Sequence, residues 1–301
     1  MLRRLCLAFV VGLALLLAAC AAPTQTPKPQ RLRLATTTST YDSGLLDAIL
    51  PAYEQAHGVR VDVIAVGTGQ AIEIGKSGDV DVVLVHTRAL EDAFVAGGYG
   101  VERLPVMFND FILVGPIDDP AEISGALTAT DALTRIYDSQ STFVSRADDS
   151  GTYARELTLW EMAGLSPSLT DAWYLPIGQG MGETLLFTEE QKGYTLSDRG
   201  TYLSMAESLP GLGILFGGQT IAGNPDPAMF NPYGVIQVAP KDPSAPEADL
   251  AKDFVDWLTS LETQALISDF GVETYDQPLF YPASRAWCAD RGADSPGCSG
   301  S

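Results

Sequence analysis

The sequence predicts an α/β protein built from two lobes with a ligand cleft between them. Nearly continuous apolar strands alternate with amphipathic helices from residue 32 to residue 85, a second α/β block follows, and two apolar strands, Met107–Gly115 and Asn231–Val238, flank that block. Such an alternation favours a parallel sheet that helices cover on both faces. We expect the two flanking strands to cross between the lobes. A single larger α/β domain is the alternative.

The elements follow from hydrophobic periodicity, taken in chain order. The patterns predict strands at Leu32–Thr36, Val59–Val66 and Asp79–Val85, helices at Ser43–Gln55 and Gln70–Lys76, and one long helix at Ala248–Phe270. The first lobe is then expected to comprise residues 31–111 and 233–301, and the second lobe residues 112–232.

The N-terminus is typical of an exported lipoprotein. A basic Met-Leu-Arg-Arg start precedes an apolar run that ends at Cys20, shorter than the roughly 20 residues that span a bilayer. This pattern indicates a signal peptide over residues 1–20. Its last residues, Leu-Ala-Ala-Cys, resemble a bacterial lipobox, so we expect a lipid anchor on Cys20 and an extracytoplasmic location. The alternative is an ordinary signal peptide with a chance cysteine. Residues 21–30, rich in Pro, Thr and Gln, predict a flexible tether.

The charge excludes nucleic acid as a partner. The chain has 18 Lys and Arg against 38 Asp and Glu, a net charge of −20, whereas phosphate-backbone binding needs a basic surface. An anionic ligand must therefore be held by local donors rather than attracted by the field of the whole protein.

The cysteines outside the signal segment predict a disulfide. Cys288 and Cys298 enclose a short loop, and disulfides persist in exported proteins. A bridge here contributes about 2–3 kcal/mol. Two cysteines without a nearby histidine make a poor metal site.

Three polar segments lie where a predicted strand ends and a helix begins. They are Thr36–Thr40, Gly67–Gln70 and Ser145–Thr152. Ligands of open α/β sheets bind at such strand ends, and helix N-termini expose unpaired N–H groups. Helix capping alone would account for any one of these segments. Together, with Arg146 among them, they predict an anion site, and the Gly-x-Gly at Gly180–Gly182 opens another helix with further amides.

The sequence offers little for catalysis. It has two histidines and no Gly-x-Ser-x-Gly elbow, and the spacing after Gly69 is wrong for a P-loop. The position of His57 at the C-terminus of a predicted helix accounts for that histidine. His86 ends a predicted strand, and a place in a pocket wall and a purely structural role fit it equally well. A turn with a local ion pair is expected at Asp198–Arg199. We predict no enzyme, no cofactor and no catalytic metal; a phosphoryl or acyl hydrolase is the rival class.

These motifs resemble those of the tungstate-binding proteins of tungstate ABC importers, the TupA-type family of periplasmic solute-binding proteins. The matching segments are Ala35–Leu46, Val66–His86, Val106–Pro116, Ser145–Tyr153, Gly178–Leu185, Tyr194–Leu203 and Asn231–Val238. The resemblance implies a type II periplasmic-binding-protein fold, tungstate as ligand and an ABC permease as partner. It implies the oxyanion-binding residues Thr37, Thr38, Ser39, Thr68, Arg146, Ser150, Gly151 and Thr152, with Gly69, His86, Gly180 and Met181 beside them.

The third segment is also similar to that of phosphate-binding proteins, in the spacing of Arg146, Asp148 and the Ser-Gly-Thr that follows. Those proteins place an aspartate at the end of the third strand to accept the proton of phosphate, whereas this chain has His86 there. Tungstate and molybdate carry no proton at neutral pH and need donors only. The family spacing implies that Asp148 pairs with Arg146. Molybdate or phosphate as ligand, and a sensor that feeds no transporter, remain alternatives.

Overall fold

The computed structural model describes residues 30–148, 150–242, 246–292 and 298. The predictions for the signal peptide, for Cys20 and for most of the tether concern residues outside this part of the chain. The residues from Arg31 onward form one compact unit.

Strands and helices alternate along the described chain. The strands are β1 (Gln30–Thr37), β2 (Val59–Val66), β3 (Val82–Val85), β4 (Gly100–Pro116), β5 (Phe143–Ser145), β6 (Tyr174–Pro176), β7 (Thr195–Asp198), β8 (Leu212–Phe216), β9 (Phe230–Val238) and β10 (Tyr281–Pro282). The helices are α1 (Thr38–Asp42), α2 (Leu45–His57), α3 (Thr68–Ser77), α4 (Arg88–Ala96), α5 (Ala129–Ser139), α6 (Gly151–Met162), α7 (Met181–Gln191), α8 (Arg199–Met205), α9 (Pro246–Leu258), α10 (Leu261–Asp269), α11 (Val272–Tyr275) and α12 (Arg285–Arg291).

The main sheet has the strand order β10-β4-β9-β3-β1-β2. β1 runs parallel to β3, with Leu34 opposite Val82, and β9 runs antiparallel to both β3 and β4. The four residues of β3 are all buried, as the apolar run predicts. Val82 and Leu84 pack into one apolar cluster and Val83 and Val85 into another, because successive side chains of a strand point to opposite faces. Helices therefore cover both faces of this sheet.

The long strand β4 belongs to two sheet regions. Its residues up to Asp110 pair with β9, whereas those from Phe111 onward pair with β7 and β8. Beyond this change, Phe111 and Leu113 pack into a third apolar cluster and Ile112 and Val114 into a fourth. The predicted α/β architecture, with helices on both faces of the sheet, is confirmed. The lobe boundaries at residues 111/112 and 232/233 stay predictions.

One predicted helix and one predicted ion pair are wrong, and the strand predicted from Asp79 begins only at Val82. The helix expected at Ala248–Phe270 is two helices, α9 and α10, because Ser260 accepts a hydrogen bond from the amide of Thr263 and caps a new helix. The local ion pair expected at Asp198–Arg199 is also wrong. Arg199 instead forms a buried bidentate ion pair with Asp110 of β4, at 2.8 and 2.6 Å.

The cysteine pair lies at the C-terminal end of the fold. Cys288 of α12 is bonded to Cys298, with their Cα atoms 5.3 Å apart. The bridge closes the short loop that follows α12, as the sequence leads one to expect.

Candidate anion-binding site

A cleft of about 740 Å³ lies where several helices begin. Its lining includes the start of α3 with the residues before it (Gly67–Gln70), Ser150 and Gly151 at the start of α6, Gly180 just before α7, and Thr38 of α1. The first N–H groups of a helix have no partner inside the helix, and the helix dipole is positive at that end. The cleft therefore offers amide donors and partial positive charge from more than one helix.

Thr68 supplies a hydroxyl that has no partner in the structure. Gly67, in an extended conformation, leads into α3, and Thr68 is the first residue of that helix. Thr68 is 2% exposed, and its Oγ1 makes no hydrogen bond. Buried polar atoms are nearly always paired, so an unpaired one beside a cleft indicates a group that a ligand completes.

Arg146 lines the cleft and is held by a turn. Its side chain is 6% exposed, its Nη2 donates to Oδ2 of Asp148 at 2.5 Å, and its Nε lies 3.4 Å from the carbonyl oxygen of Gln179. Ala147 between the two paired residues has a φ of 47°, which turns the chain so that both side chains meet. The predicted pairing of Arg146 with Asp148 is confirmed.

Asp148 is fully engaged by its neighbours. Besides the guanidinium of Arg146, it accepts hydrogen bonds from both the amide and the hydroxyl of Ser150. The hydroxyl of Ser150 in turn accepts the amide of Tyr153 as a helix cap. Neither Asp148 nor the Ser150 hydroxyl is therefore free for a ligand. Gly151, the first residue of α6, lines the cleft, and its amide has no partner within the helix.

In the threonine-rich segment, Thr37 caps a helix and Thr38 lines the cleft. Thr37 is buried and caps α1, with its Oγ1 accepting the amide of Thr40 and lying 2.6 Å from the Thr40 hydroxyl. Ser39 is half-buried, with its hydroxyl 3.2 Å from that of Thr37. Thr38 is exposed and lines the cleft. Of these residues, the structure thus places only Thr38 on the cleft wall.

His86 lies beside the cleft rather than on its wall. It lines a neighbouring pocket of about 200 Å³, packs against Gly151, and its Nδ1 is 2.9 Å from Oδ1 of Asn231. The Asn231 amide nitrogen donates to Asn109, so its oxygen accepts from His86. Burial is the largest cause that lowers the pKa of His86, to about 4, so the ring is neutral at neutral pH.

Of the remaining predicted site residues, two line the cleft and two do not. Gly69 and Gly180 line the cleft, whereas Thr152 is buried and Met181 packs into an apolar cluster with Leu185 and Ile112. The backbone of the Gly180 segment thus faces the cleft while its first large side chain faces the core.

Burial raises the pKa of two carboxyls whose charge interacts with Arg146. Asp198 caps α8 by accepting the amide of Thr201, and burial raises its pKa, an effect that the positive charge of Arg146 opposes. Burial likewise raises the pKa of Asp42, and Arg146 again opposes the rise.

Several cleft residues were not predicted as site residues. They are Gly67, Gln70, Thr87, Leu90, Asp148, Tyr153, Ala154 and Leu157. Thr87 lies between the end of β3 and the start of α4, so the rule that selected the three polar segments applies to it as well. Leu90 and Leu157 lie inside helices on exposed faces and carry no sequence signal that marks them.

Neither a metal cluster nor a membrane span is present among the described residues. No group of three or more His, Cys, Asp and Glu side chains is placed to hold a metal ion within residues 30–148, 150–242, 246–292 and 298. In that same part of the chain, no helix combines the length and the apolar character that crossing a bilayer requires.

Comparison with known proteins identifies relatives of this architecture. The family model of the PBP superfamily domain matches residues 22–262. A tungstate-binding protein TupA from Peptoclostridium acidaminophilum is 45% identical over 283 residues, which is 91% of this chain and 95% of that one.

Two solved structures agree with this relationship. The tungstate ABC transporter structure from Geobacter sulfurreducens is 49% identical, with a TM-score of 0.70 over 80% of this chain and 98% of that chain. The tungstate-binding protein TupA from Desulfovibrio alaskensis G20 is 40% identical, with a TM-score of 0.74 over 85% of this chain and all of that chain, 100%. These relatives are described as binding or transport proteins, so the expectation of a binding protein rather than an enzyme is confirmed.

Proposed function

This chain belongs to the PBP superfamily and, within it, to the TupA-type family, and from that premise we propose that it binds tungstate for an ABC importer. The oxyanion occupies the cleft of about 740 Å³ and is held by Thr68, Arg146 and the first-turn amides of Gly151 and Thr152. Thr38 and the Gly180 segment complete the set of donors. No covalent bond is made or broken.

The chemistry of the cleft carries this proposal. The cleft wall offers an anion the guanidinium of Arg146, the unpaired hydroxyl of Thr68 and helix-start amides, all of which can donate. The carboxylate among the cleft-lining residues, that of Asp148, is already bonded to Arg146 and Ser150. Tungstate is a dianion without a proton at neutral pH, so it accepts hydrogen bonds and offers none. Phosphate keeps a proton at neutral pH, and burying that donor without an acceptor is unfavourable by about 1–3 kcal/mol. The same reasoning favours molybdate as much as tungstate.

Capture requires the cleft to narrow. Its volume is several times that of one tetrahedral oxyanion, whereas Thr68 and Arg146 reach it from different walls. We propose that residues 31–111 with 233–301 form one lobe and residues 112–232 the other, and that β4 and β9 are the hinge strands. A ligand that bridges both lobes stabilises the closed form, which the permease recognises.

We propose that the protein is located outside the cytoplasmic membrane. A signal peptide over residues 1–20 and a lipid on Cys20 would hold the protein beside its permease. Residues 21–30 then act as the tether.

Calorimetric titration with tungstate tests the proposal. We expect saturable one-to-one binding by the wild-type protein and a loss of roughly thirtyfold to several thousandfold in Arg146→Ala, the effect of about 2–5 kcal/mol for a buried charged contact. Arg146→Lys should recover part of the loss, because an ammonium lacks the planar fork of a guanidinium. The control is Arg135→Ala, since Arg135 pairs with Asp131 on α5 at the protein surface. Absence of tungstate binding by the folded wild-type protein would contradict the proposal.

A further inference from the structure

A buried carboxylate joins the elements that form one wall of the cleft. Glu156 of α6 is 2% exposed. Its Oε2 accepts a hydrogen bond from the hydroxyl of Ser145 at 2.9 Å, and its Oε1 accepts one from the hydroxyl of Tyr174 at 2.7 Å. Glu156 does not line the cleft itself.

Each of the joined elements leads to a residue that lines the cleft. Ser145 ends β5 and is followed by Arg146, whereas α6, which carries Glu156, begins at Gly151. Tyr174 begins β6, and the chain continues from β6 to Gly180. The two strands are paired in parallel, with Ser145 opposite Pro176. The carboxylate of Glu156 therefore fixes the relative position of the guanidinium and the amides on this wall.

We propose that Glu156 is a positioning residue of the anion site and that its carboxyl takes up a proton when the anion binds. This inference rests on the proposed function, because it assigns a proton-linked response to the same oxyanion site. Neutralisation of Glu156 removes a buried negative charge from behind the site while both hydroxyl contacts can persist, since Ser and Tyr hydroxyls either donate or accept.

The electrostatic environment supports this response. Burial, the largest cause, raises the pKa of Glu156 to about 7, and the hydrogen bonds from Tyr174 and Ser145 oppose that rise. The titratable groups around it are Asp148, Tyr153 and Tyr174, none of which is a cation. In contrast, Glu91, whose pKa burial also raises to about 7, is paired with Arg103 at 2.5 Å.

The size of the effect follows from distance and charge. Five residues of helix separate Glu156 from Gly151, which places the carboxyl roughly 10 Å from the anion. A dianion at that distance raises the pKa of a carboxyl by on the order of one unit. The bound protein then holds a proton that the empty protein releases, so binding takes up about 0.4 of a proton at pH 7. Affinity should rise about sevenfold as the pH falls from 8.5 to 6.

Other groups do not explain such a dependence. Tungstate keeps its dianionic form across this range. His86 stays neutral because its pKa is lowered to about 4. His57 lies at the end of α2 beside Asp253, away from the cleft.

The experiment is tungstate calorimetry between pH 6 and 8.5, repeated at pH 7 in two buffers of different ionisation enthalpy. We expect proton uptake and an about sevenfold pH dependence in the wild-type protein, and neither in Glu156→Gln. Glu91→Gln is the matched control, because Glu91 is a buried carboxyl of similar pKa that pairs with Arg103 and not with the segments that carry Arg146, Gly151 and Gly180, and it should retain both. Glu156→Asp should restore a pH dependence with a shifted midpoint.

The outcomes separate this inference from the proposed function. Tight tungstate binding by the wild-type protein without proton uptake overturns the inference and leaves the proposed function standing. Equal proton uptake in the wild type and in Glu156→Gln also overturns it. If Glu156→Gln does not fold, as judged by circular dichroism, Glu156→Asp decides, and a pH midpoint equal to that of the wild type overturns the inference. Absence of tungstate binding in the wild type at every pH overturns the proposed function itself.

Discussion

Replacement of Thr68 by valine should change stability and affinity in opposite ways. The Thr68 hydroxyl is buried and unpaired in the empty protein, and an unsatisfied buried group is unfavourable by about 1–3 kcal/mol. Valine has nearly the same shape and removes that group. We therefore expect the free energy of unfolding of the empty protein to stay unchanged or to rise by up to about 1 kcal/mol.

The same substitution should weaken ligand binding. A hydrogen bond to a charged group contributes about 1.5–3 kcal/mol, so Thr68→Val should raise the dissociation constant for tungstate roughly ten- to 150-fold. Urea denaturation without ligand and calorimetry with tungstate measure the two quantities on one preparation.

A matched variant controls for the loss of any buried hydroxyl. Thr188 of α7 is equally buried, but its hydroxyl donates to the carbonyl of Thr184 at 2.6 Å, and it does not line the cleft. Thr188→Val should leave tungstate affinity unchanged. If Thr68→Val destabilised the empty protein and left affinity intact, the hydroxyl would be a structural group and the reasoning would be refuted.

Three further predictions concern other parts of the chain. Removal of the disulfide by Cys288→Ala with Cys298→Ala should lower the free energy of unfolding by about 2–3 kcal/mol in urea denaturation, with tungstate affinity unchanged; a loss of affinity would contradict it. Mass spectrometry of the exported protein should find lipid on Cys20 as the first residue, and cleavage elsewhere would contradict the lipoprotein assignment. Burial raises the pKa of Glu156 from 4.5 to about 7. Between these pH values the folded state holds a proton that the unfolded chain has released. This contribution to the free energy of unfolding is therefore lost as the pH rises from about 4.5 to about 7. Glu156→Gln should therefore show a smaller decline of the unfolding free energy over that range, and an equal decline in the variant would exclude Glu156 as its source.

Local patterns predicted much of the fold because they have local causes. The strand at Val59–Val66 has the predicted bounds, since its alternation ends at glycines on both sides. Helices were expected after the polar segments at Gly67–Gln70 and Ser145–Thr152, and both are present, although the first begins at Thr68, two residues before the predicted Gln70. The pairing of Arg146 with Asp148 followed from their spacing in the family.

The features that the sequence did not reveal depend on distant contacts. The partner of Arg199 is Asp110, 89 positions earlier in the chain, and no local pattern relates the two. The break between α9 and α10 was missed because apolar residues continue at Leu258 and Leu261 across the capping Ser260. A helix start does not determine which side chains face a ligand, so Met181 was proposed for the cleft although its side chain packs in the core.

Competition between oxyanions at neutral pH tests the central claim most directly. The account predicts that the wild-type protein binds tungstate and molybdate far more tightly than phosphate, because the carboxylate that lines the cleft, Asp148, is already paired with Arg146 and cannot accept the proton of phosphate. Calorimetric displacement of tungstate by molybdate, sulfate and phosphate at about pH 7.5, where phosphate keeps its proton, gives these affinities in one series. Phosphate affinity within about tenfold of that for tungstate, a difference of about 1.4 kcal/mol or less, would contradict a cleft without a free carboxylate acceptor and reassign the ligand.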